Sequence, residues 1–187
     1  MPLACLVEDA ERVDPSLRLH SRNVARLSVE IGKTLELAPP ELAVLALAAA
    51  VHDIGKIGVP GEVLRKPGAL DPWERAAIER HPSEGERLLE PHVDSADVLA
   101  IVRSHHERWD GGGYPDGLTG EQIPLGARIV AVADAFTAMV EPRPYRKARS
   151  AELARAELLE QAGRQFDPAC AEAGAAVTAG PVAAVGG

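Results

Sequence analysis

The sequence predicts an all-α fold, and three observations lead to that prediction. Hydrophobic residues make up 46% of the 187 positions but aromatic residues only 3%, so the core must consist of Leu, Val, Ile and Ala, which suit packed helices. Apolar residues recur at helical spacing in several stretches, and no stretch alternates apolar and polar residues as a half-buried strand would. The length suits one domain with a real hydrophobic core.

The first predicted helices lie in the N-terminal third of the chain. Apolar residues form one helical stripe over residues 17–37, and His20 falls on it. The pair Pro39-Pro40 ends this helix and begins the next. Residues 42–51 contain no polar side chain, which predicts a helix buried on all sides. Residues 1–15 carry weak signals, and we expect them to pack loosely.

Capping residues mark the helices that follow. Asp71 suits an N-cap, Pro72 the first helical position, and Glu74 completes a capping box. This helix is predicted to end at His81, because Pro82 follows. Further helices are predicted over residues 82–89, from a cap at Asp94 or Ser95 to His105, and over residues 125–140, 150–162 and 167–177.

These elements predict one domain over residues 17–177. Residues 1–16 would lead into it, and residues 178–187 would form a frayed tail rich in Gly, Ala and Val. We expect no separate input domain in the short stretch before His20, and the sequence could be a stand-alone enzyme or a fragment of a longer protein.

Bulk properties argue against several classes of protein. A net charge of -8 disfavours binding of a nucleic-acid polymer, although a local basic patch could still hold one small anionic ligand. No apolar run reaches the length of a membrane span, and the N-terminus lacks a signal-peptide pattern, so we expect no membrane partner. Cys5 and Cys170 share no motif, which favours a reducing, cytoplasmic environment.

The histidines give the main indication of chemistry. Five of the six histidines lie at predicted helix ends or on apolar stripes: His20, His52, His81, His105 and His106. One such histidine is usually a core residue with its own hydrogen-bond partner. Five of them, together with Asp53 and Asp134 on buried helices, would each need a separate buried partner. A shared metal centre satisfies all of them, so we favour metal binding.

The donors divide into two sets around Asp53, whose carboxylate can bridge two cations. One set is His20, His52 and Asp134, and the other is His81, His105 and His106. Two metal ions about 3.5–4 Å apart form the usual clamp for in-line attack on phosphate. Imidazole and carboxylate ligands without thiolate suit iron, manganese, cobalt, nickel or zinc.

Two other segments carry functional residues. After His52-Asp53, Gly55 is expected to permit a sharp turn, and Lys56 can face an anion beside the metal. Residues 57–61 are then expected to form an extended connector. Residues 110–117 are rich in glycine and predict a loop. Residues 143–149 form the one concentrated basic patch.

These motifs resemble the HD-GYP family, a subgroup of the HD metal-dependent phosphohydrolases. The resemblance rests on His52-Asp53, Gly55-Lys56, the run from His105 to Pro115 that contains Gly113-Tyr114-Pro115, Lys66-Pro67-Gly68, His81-Pro82, Ala133-Asp134 and the run from Arg143 to Arg146. It covers the chain from about His20 to Phe166. It implies an HD-domain helical bundle with a binuclear or trinuclear iron-type centre, for which iron or manganese is the preferred metal.

The resemblance also implies a reaction and the residues that perform it. A metal-bridging hydroxide would hydrolyse cyclic di-GMP to pGpG, and in some members on to GMP. The implied metal ligands are His20, His52, Asp53, His81, His105, His106 and Asp134. Lys56 would contact a phosphate near the metals, and Asp53 and Lys56 would be the catalytic residues. Arg143 and Arg146 would hold the other phosphate or a guanine, and Tyr114 is a further expected substrate contact.

The loop Gly113–Pro115 has a second implied role. In the family it is tied to contacts with partner domains, such as the diguanylate cyclases that make cyclic di-GMP. Each of these residues also has a simpler interpretation, as a solvated basic turn for the arginines and a plain loop for Gly113–Pro115. A homodimer stays open.

The chain departs from the family pattern at a few positions. Ser16 stands where three-metal members have Glu, so two metals are favoured over three. Thr137 replaces a second Asp, and Glu141-Pro142 replaces the usual Ser-Asp. These differences leave three alternatives open. They are a phosphohydrolase of another nucleotide, a weak or inactive module that binds cyclic di-GMP or partner proteins, and a structural helical protein without metal.

Overall fold

A computed structural model describes residues 3–142 and 148–179. The described residues are all-α, as predicted, with no β-strand among them. The helices are α1 Leu3–Val13, α2 Leu17–Thr34, α3 Pro39–Val51, α4 Gly61–Leu64, α5 Pro72–Glu79, α6 His81–Leu89, α7 Ala96–Ser104, α8 Leu125–Val140, α9 Ala151–Glu160 and α10 Pro168–Val177. Two short 3-10 helices, Ile54–Gly58 and Gly120–Gln122, lie between them.

The centre of the bundle is formed by α2, α3 and α8. α2 packs against both α3 and α8, α7 lies against α3 and α6, and α9 and α10 pack against α8. Fully buried side chains fill these interfaces, among them Val24 and Ile31 of α2, Ala48 of α3, and Ile129 and Val130 of α8. Burying an aliphatic side chain contributes about 1.5–3 kcal/mol. This core therefore fixes the helix ends that carry the predicted ligands.

The expectation of loose packing for residues 1–15 is wrong. This stretch contains α1, which packs against the 3-10 helix Ile54–Gly58, and its Leu6 and Ala10 are buried in the main core. Leu6, Val7 and Ala10 repeat at helical spacing, so α1 presents one apolar stripe to the bundle. The apolar pattern that predicts this helix was present in the sequence but covers only a short stretch.

The expectation that α3 is buried on all sides is also wrong. Leu45 and Ala48 are buried, whereas Ala43 is exposed and Leu47 is 39% exposed. α2, α7 and α8 contact α3 and cover only part of its surface. An apolar helix can leave one face in water, because exposed apolar side chains are ordinary on protein surfaces.

The capping box predicted for α5 is confirmed. Glu74 N donates to Asp71 Oδ1 over 2.9 Å, and Asp71 N donates to Glu74 Oε2 over 2.8 Å. The predicted end of this helix is wrong by two residues. α5 ends at Glu79, and His81 is already the first residue of α6. Proline is tolerated in a first helical turn, so Pro82 lies at the start of α6 rather than after a helix.

Two connecting segments differ from the prediction. Residues 57–61 are extended only at Val59, because the 3-10 helix continues to Gly58 and α4 begins at Gly61. Thr178 is not frayed: its hydroxyl donates to the Gly174 carbonyl over 2.7 Å and the residue is buried. The rest of the predicted tail, beyond residue 179, lies outside the described residues.

None of the helices in the described ranges is both long enough and apolar enough to cross a lipid bilayer.

Candidate metal centre

The predicted ligands lie where several helices meet. His20 is on α2, His52-Asp53 directly follows α3, His81 opens α6, His105-His106 directly follows α7, and Asp134 is in α8. The imidazole rings form a contiguous group. Their centroid distances range from 4.2 Å between His105 and His106 to 5.8 Å between His20 and His52. The fold therefore brings together side chains that are far apart in sequence.

The donor atoms separate into two clusters. Within each cluster, one nitrogen or oxygen of every residue lies within 4.8 Å of the others. The larger cluster is Asp53, His81, His105 and His106, and the smaller is His20, His52 and Asp134. All seven predicted ligands are present, in the two predicted groups. The oxygens of Asp53 face both: Oδ1 lies 3.2 Å from His81 Nε2, and Oδ2 lies 3.4 Å from His52 Nε2.

Three of the imidazoles are oriented by their own preceding turn. Each Nδ1 lies within hydrogen-bond distance of the carbonyl oxygen three residues earlier: His52 to Ala49 at 2.7 Å, His81 to Ile78 at 2.8 Å, and His105 to Val102 at 2.7 Å. A carbonyl only accepts, so Nδ1 carries the proton, and Nε2 of the neutral ring presents its lone pair to the cluster.

Several of the facing atoms are acceptors, with no donor between them among the described residues. Nε2 of His81 and Nε2 of His105 lie 3.2 Å apart, although both Nδ1 atoms are the donors. His52 Nε2 and Asp53 Oδ1 are buried and form no hydrogen bond within the described part of the chain. Buried polar atoms are rarely left in this state. Imidazole and carboxylate donors arranged in this way fit divalent metal ions.

The electrostatics keep most donors in a metal-binding protonation state. Burial lowers the pKa of His106 to about 3, and burial likewise places the pKa of His105 well below its ordinary value. Burial by itself raises the pKa of Asp53, but Lys56 and His52 outweigh it and hold that pKa well below the ordinary range. At neutral pH these imidazoles are neutral and the carboxylate is ionised, which is the form that binds metal.

His52 and His20 are exceptions. Burial lowers the pKa of His52, but the nearby Asp53 carboxylate outweighs burial and raises that pKa. For His20, burial lowers the pKa, but hydrogen bonds to Asp134 and Glu141 outweigh burial and raise it to about 9. The Nε2 of His20 lies 2.9 Å from Asp134 Oδ1. Without metal, a proton therefore occupies the position between imidazole and carboxylate.

Lys56 and Gly55 have separate roles beside the clusters. Lys56 Nζ donates to Asp53 Oδ2 over 2.6 Å, and its side chain is 23% exposed. A Cβ on Gly55 would lie 2.0 Å from the His81 carbonyl oxygen and 2.5 Å from Gly85 N. The sequence suggested a sharp turn at Gly55, whereas the structure shows that glycine is needed because the α6 backbone lies directly against it.

The glycine-rich loop is confirmed as non-helical and non-strand, and it reaches the larger cluster through Tyr114. The Tyr114 ring lies 5.0 Å from that of His106, between centroids, at an interplanar angle of 30°. Glu107 holds the loop in place. Its buried carboxylate accepts from Asp116 N at 2.7 Å, Gly117 N at 3.1 Å and Leu118 N at 3.1 Å.

Sequence reasoning did not identify Glu107 or Glu141 as part of this region. A signal existed for Glu107, because a carboxylate directly after the buried pair His105-His106 requires donors. Glu141 had no such signal, since its partner His20 is remote in sequence. The predicted substrate contacts Arg143 and Arg146 lie outside the described residues.

The sequence matches the HD domain family over residues 6–170, which is most of the chain. The chain belongs to the HD domain family. Similar proteins of known sequence confirm the HD-GYP resemblance. Over 146 residues the chain is 47% identical to the cyclic di-GMP phosphodiesterase response regulator RpfG of Xanthomonas campestris, and the match covers 76% of this chain and 38% of that protein. Over 131 residues it is 42% identical to the 3'3'-cGAMP-specific phosphodiesterase 1 of Vibrio cholerae, covering 70% of this chain and 30% of that protein.

The HD fold is shared with solved structures. An HDG"Y"P protein from Bdellovibrio bacteriovorus superposes with a TM-score of 0.71 at 22% identity, covering 86% of this chain and 52% of that one. The chain spans well under half the length of the two relatives matched by sequence.

Proposed function

We propose that this HD domain is the catalytic part of a metal-dependent phosphodiesterase that hydrolyses cyclic di-GMP to pGpG. One observation carries the proposal: seven imidazole and carboxylate side chains converge in two adjacent clusters, and one donor atom of each residue lies within 4.8 Å of the others in its cluster. Phosphodiester hydrolysis is a reaction for which paired metal sites are well suited. The name of the Xanthomonas relative supports cyclic di-GMP as the substrate.

We assign one divalent metal ion to each cluster, with the Asp53 carboxylate shared between them. Iron or manganese is preferred, with zinc, cobalt and nickel as alternatives. Bound ions would supply positive charge to the phosphate and an activated water as nucleophile. Ser16 supports two ions over three, because it is exposed and its hydroxyl donates to Asp14 Oδ1 over 2.6 Å.

The chain's own residues would bind and orient the dinucleotide. Lys56 lies at the partly open edge of the centre, so we assign its ammonium to a phosphoryl oxygen. The Tyr114 ring offers an apolar surface for a base beside His106. Arg143 and Arg146 follow α8, which carries Asp134. We retain them as proposed contacts for the second phosphate or a guanine, because guanidinium groups bind both by paired hydrogen bonds.

The first experiment compares metal-free protein with protein reconstituted with Mn²⁺ or reduced iron under anaerobic conditions. Cyclic di-GMP is the substrate, and the linear product is separated by chromatography. We expect pGpG only when metal is present. Asp53→Ala should lower turnover at least about 100-fold, because it removes a shared ligand, whereas the exposed-site control Glu121→Gln should match the wild type. Full activity of Asp53→Ala, or turnover without metal, would contradict the proposal.

A second candidate is a module that binds a cyclic dinucleotide without efficient hydrolysis. The substitution Thr137, which is buried in the same helix as Asp134, favours it. Binding of cyclic di-GMP by the metal-loaded protein with no linear product would support this candidate over the first.

A substrate panel tests the assigned nucleotide. Cyclic di-GMP, 3'3'-cGAMP and cyclic di-AMP should be compared at equal concentration, since a 42% identical relative acts on 3'3'-cGAMP by its name. Fastest turnover of cyclic di-GMP is expected. Faster turnover of either other dinucleotide would replace the substrate while leaving the metal centre intact.

A partner surface forms a separate part of the proposal. The loop Gly113–Pro115 is assigned contacts with a diguanylate cyclase or a similar signalling domain. Pull-down with such a domain, and loss of capture when the partly exposed Asp116 is changed to Lys, would support this assignment.

A further inference from the structure

The support of His20 differs from that of the other histidines whose Nδ1 partner is described. His52, His81 and His105 each donate Nδ1–H to the backbone carbonyl three residues earlier in the chain. His20 Nδ1 instead lies 2.9 Å from Oε2 of Glu141, a carboxylate 121 positions later in the chain. The Glu141 carboxylate therefore adds a negative charge beside the smaller cluster. In the larger cluster, the Nδ1 partners of His81 and His105 are neutral carbonyls.

Glu141 is held in a defined position. Its Oε1 accepts from Asn23 Nδ2 over 2.7 Å, and Asn23 lies nearly one helical turn after His20 on α2. Its backbone N–H donates to the Thr137 carbonyl over 3.0 Å, at the C-terminal cap of α8. Both carboxylate oxygens thus accept from α2, which fixes the distance between the two helices at this point.

His20 is consequently placed between two carboxylates of the same helix. Asp134 Oδ1 faces Nε2 at 2.9 Å, and Glu141 faces Nδ1 at 2.9 Å. Seven residues separate the two acids, so they lie two turns apart on one side of α8. An acceptor on Nδ1 fixes the tautomer that leaves Nε2 as the ligand. A charged acceptor also raises the basicity of that nitrogen, more than a neutral carbonyl does.

We propose that Glu141 is a positioning residue that strengthens metal binding by the cluster of His20, His52 and Asp134. The proposal rests on the metal centre of the proposed function and adds that the two metal sites are unequal.

The test is a Mn²⁺ titration of metal-free full-length protein, with free Mn²⁺ measured by electron paramagnetic resonance. Wild type should bind two ions. Glu141→Gln keeps the shape but removes the charge, and it should weaken one of the two sites by about 10–100-fold and leave the other unchanged. Asp134→Asn should weaken the same site. The double variant should lose less than the product of the two single effects, because both carboxylates contact His20 and belong to one hydrogen-bonded network.

Asn23→Ala is the matched control. It removes the hydrogen bond from Asn23 Nδ2 to the Glu141 carboxylate but leaves the Glu141–His20 contact. If Glu141 acts through His20, Asn23→Ala should bind both ions nearly as tightly as wild type. If Glu141 only ties α2 to α8, Asn23→Ala and Glu141→Gln should weaken binding alike. Urea unfolding of each metal-free variant shows whether a lost site reflects a lost fold.

The outcomes distinguish this inference from the function on which it rests. Wild-type protein that binds no Mn²⁺ would overturn the metal centre itself. Wild-type protein that binds two ions, with Glu141→Gln binding both at unchanged affinity, would overturn the role of Glu141 and leave the metal centre standing. Equal weakening of both sites in a folded Glu141→Gln variant would also count against it.

Discussion

At the scale of single residues, metal binding depends on which nitrogen of each imidazole carries a proton and which one has a free lone pair. The rings of His52, His81 and His105 have Nδ1 engaged by a carbonyl, so only Nε2 can serve as a ligand. In the metal-free protein the His20 pKa of about 9 leaves this residue protonated at neutral pH, and the Asp53 carboxylate also raises the pKa of His52. A metal ion in the smaller cluster must therefore displace a proton.

This displacement predicts a pH dependence of metal affinity. Because the His20 pKa is about 9 in the metal-free fold, the apparent Mn²⁺ affinity of one site should rise as pH increases, by up to about tenfold per unit, and level off near that value. Calorimetric titration in buffers of different ionisation enthalpy should show release of about one proton or more at pH 7.

The same shift has the opposite effect on the metal-free fold. A raised pKa stabilises the fold below the ordinary histidine value of 6.5, and this contribution is lost as pH rises to about 9. His92→Gln, a change outside the two clusters, serves as the control variant.

Heats of Mn²⁺ binding that do not depend on the buffer would contradict the assignment of His20 as a protonated ligand.

At the scale of elements, the two halves of the larger cluster are joined by a contact between backbones. Gly55, in the 3-10 helix after Asp53, lies against the first turns of α6, which begins with His81. The absence of a side chain lets the two segments approach closely. The distance between Asp53 and His81 is therefore set by main-chain atoms, which cannot move aside as a flexible side chain can.

A pair of alanine substitutions tests this contact. Gly55→Ala places a Cβ 2.0 Å from a backbone oxygen, so α6 must shift. The free energy of unfolding should fall by about 1–3 kcal/mol or more, because backbone atoms cannot move away from the added methyl group without shifting the helix. Gly58→Ala lies in the same 3-10 helix with nothing within 4 Å of its Cβ. It should change stability by no more than about 0.5 kcal/mol.

Urea unfolding of the two metal-free variants gives this comparison directly. Mn²⁺ titration should also show weaker binding for Gly55→Ala and wild-type binding for Gly58→Ala. Equal stability of the two variants would mean that the close contact between Gly55 and α6 does not constrain the distance between Asp53 and His81.

At the scale of the whole molecule, the proposed ligands come from five separate segments between His20 and Asp134. An unfolded chain holds no such arrangement, so metal should bind the folded state far better than the unfolded one. The thermal midpoint should then rise with Mn²⁺ concentration, by the equivalent of about 2.7 kcal/mol at one hundred times the dissociation constant. Chelator should reverse the shift, and Asp53→Ala should greatly reduce it. A midpoint independent of Mn²⁺ would contradict this prediction.

Sequence alone predicted much of this molecule. Helix bounds were close where a cap or proline marks them, as at Asp71 and across Leu125–Val140. The two ligand sets were predicted because buried imidazoles and carboxylates need partners. What sequence could not show was the packing: which side of α3 stays exposed, and why Gly55 must lack a side chain. Glu141 was missed for the same reason, since its role depends on α2 and α8 lying side by side.

The histidine–carbonyl contacts affect how such a group of histidines can evolve when segments are exchanged between homologous chains. In three of the imidazoles, the direction of the ring is set within four consecutive residues, from the carbonyl to the histidine. A short segment of this kind, exchanged between homologous chains, would keep the orientation of its ring. His20 lacks this independence, because its orientation is inherited from a distant helix. Recombination between α2 and α8 would thus separate that histidine from its support and spare the other three.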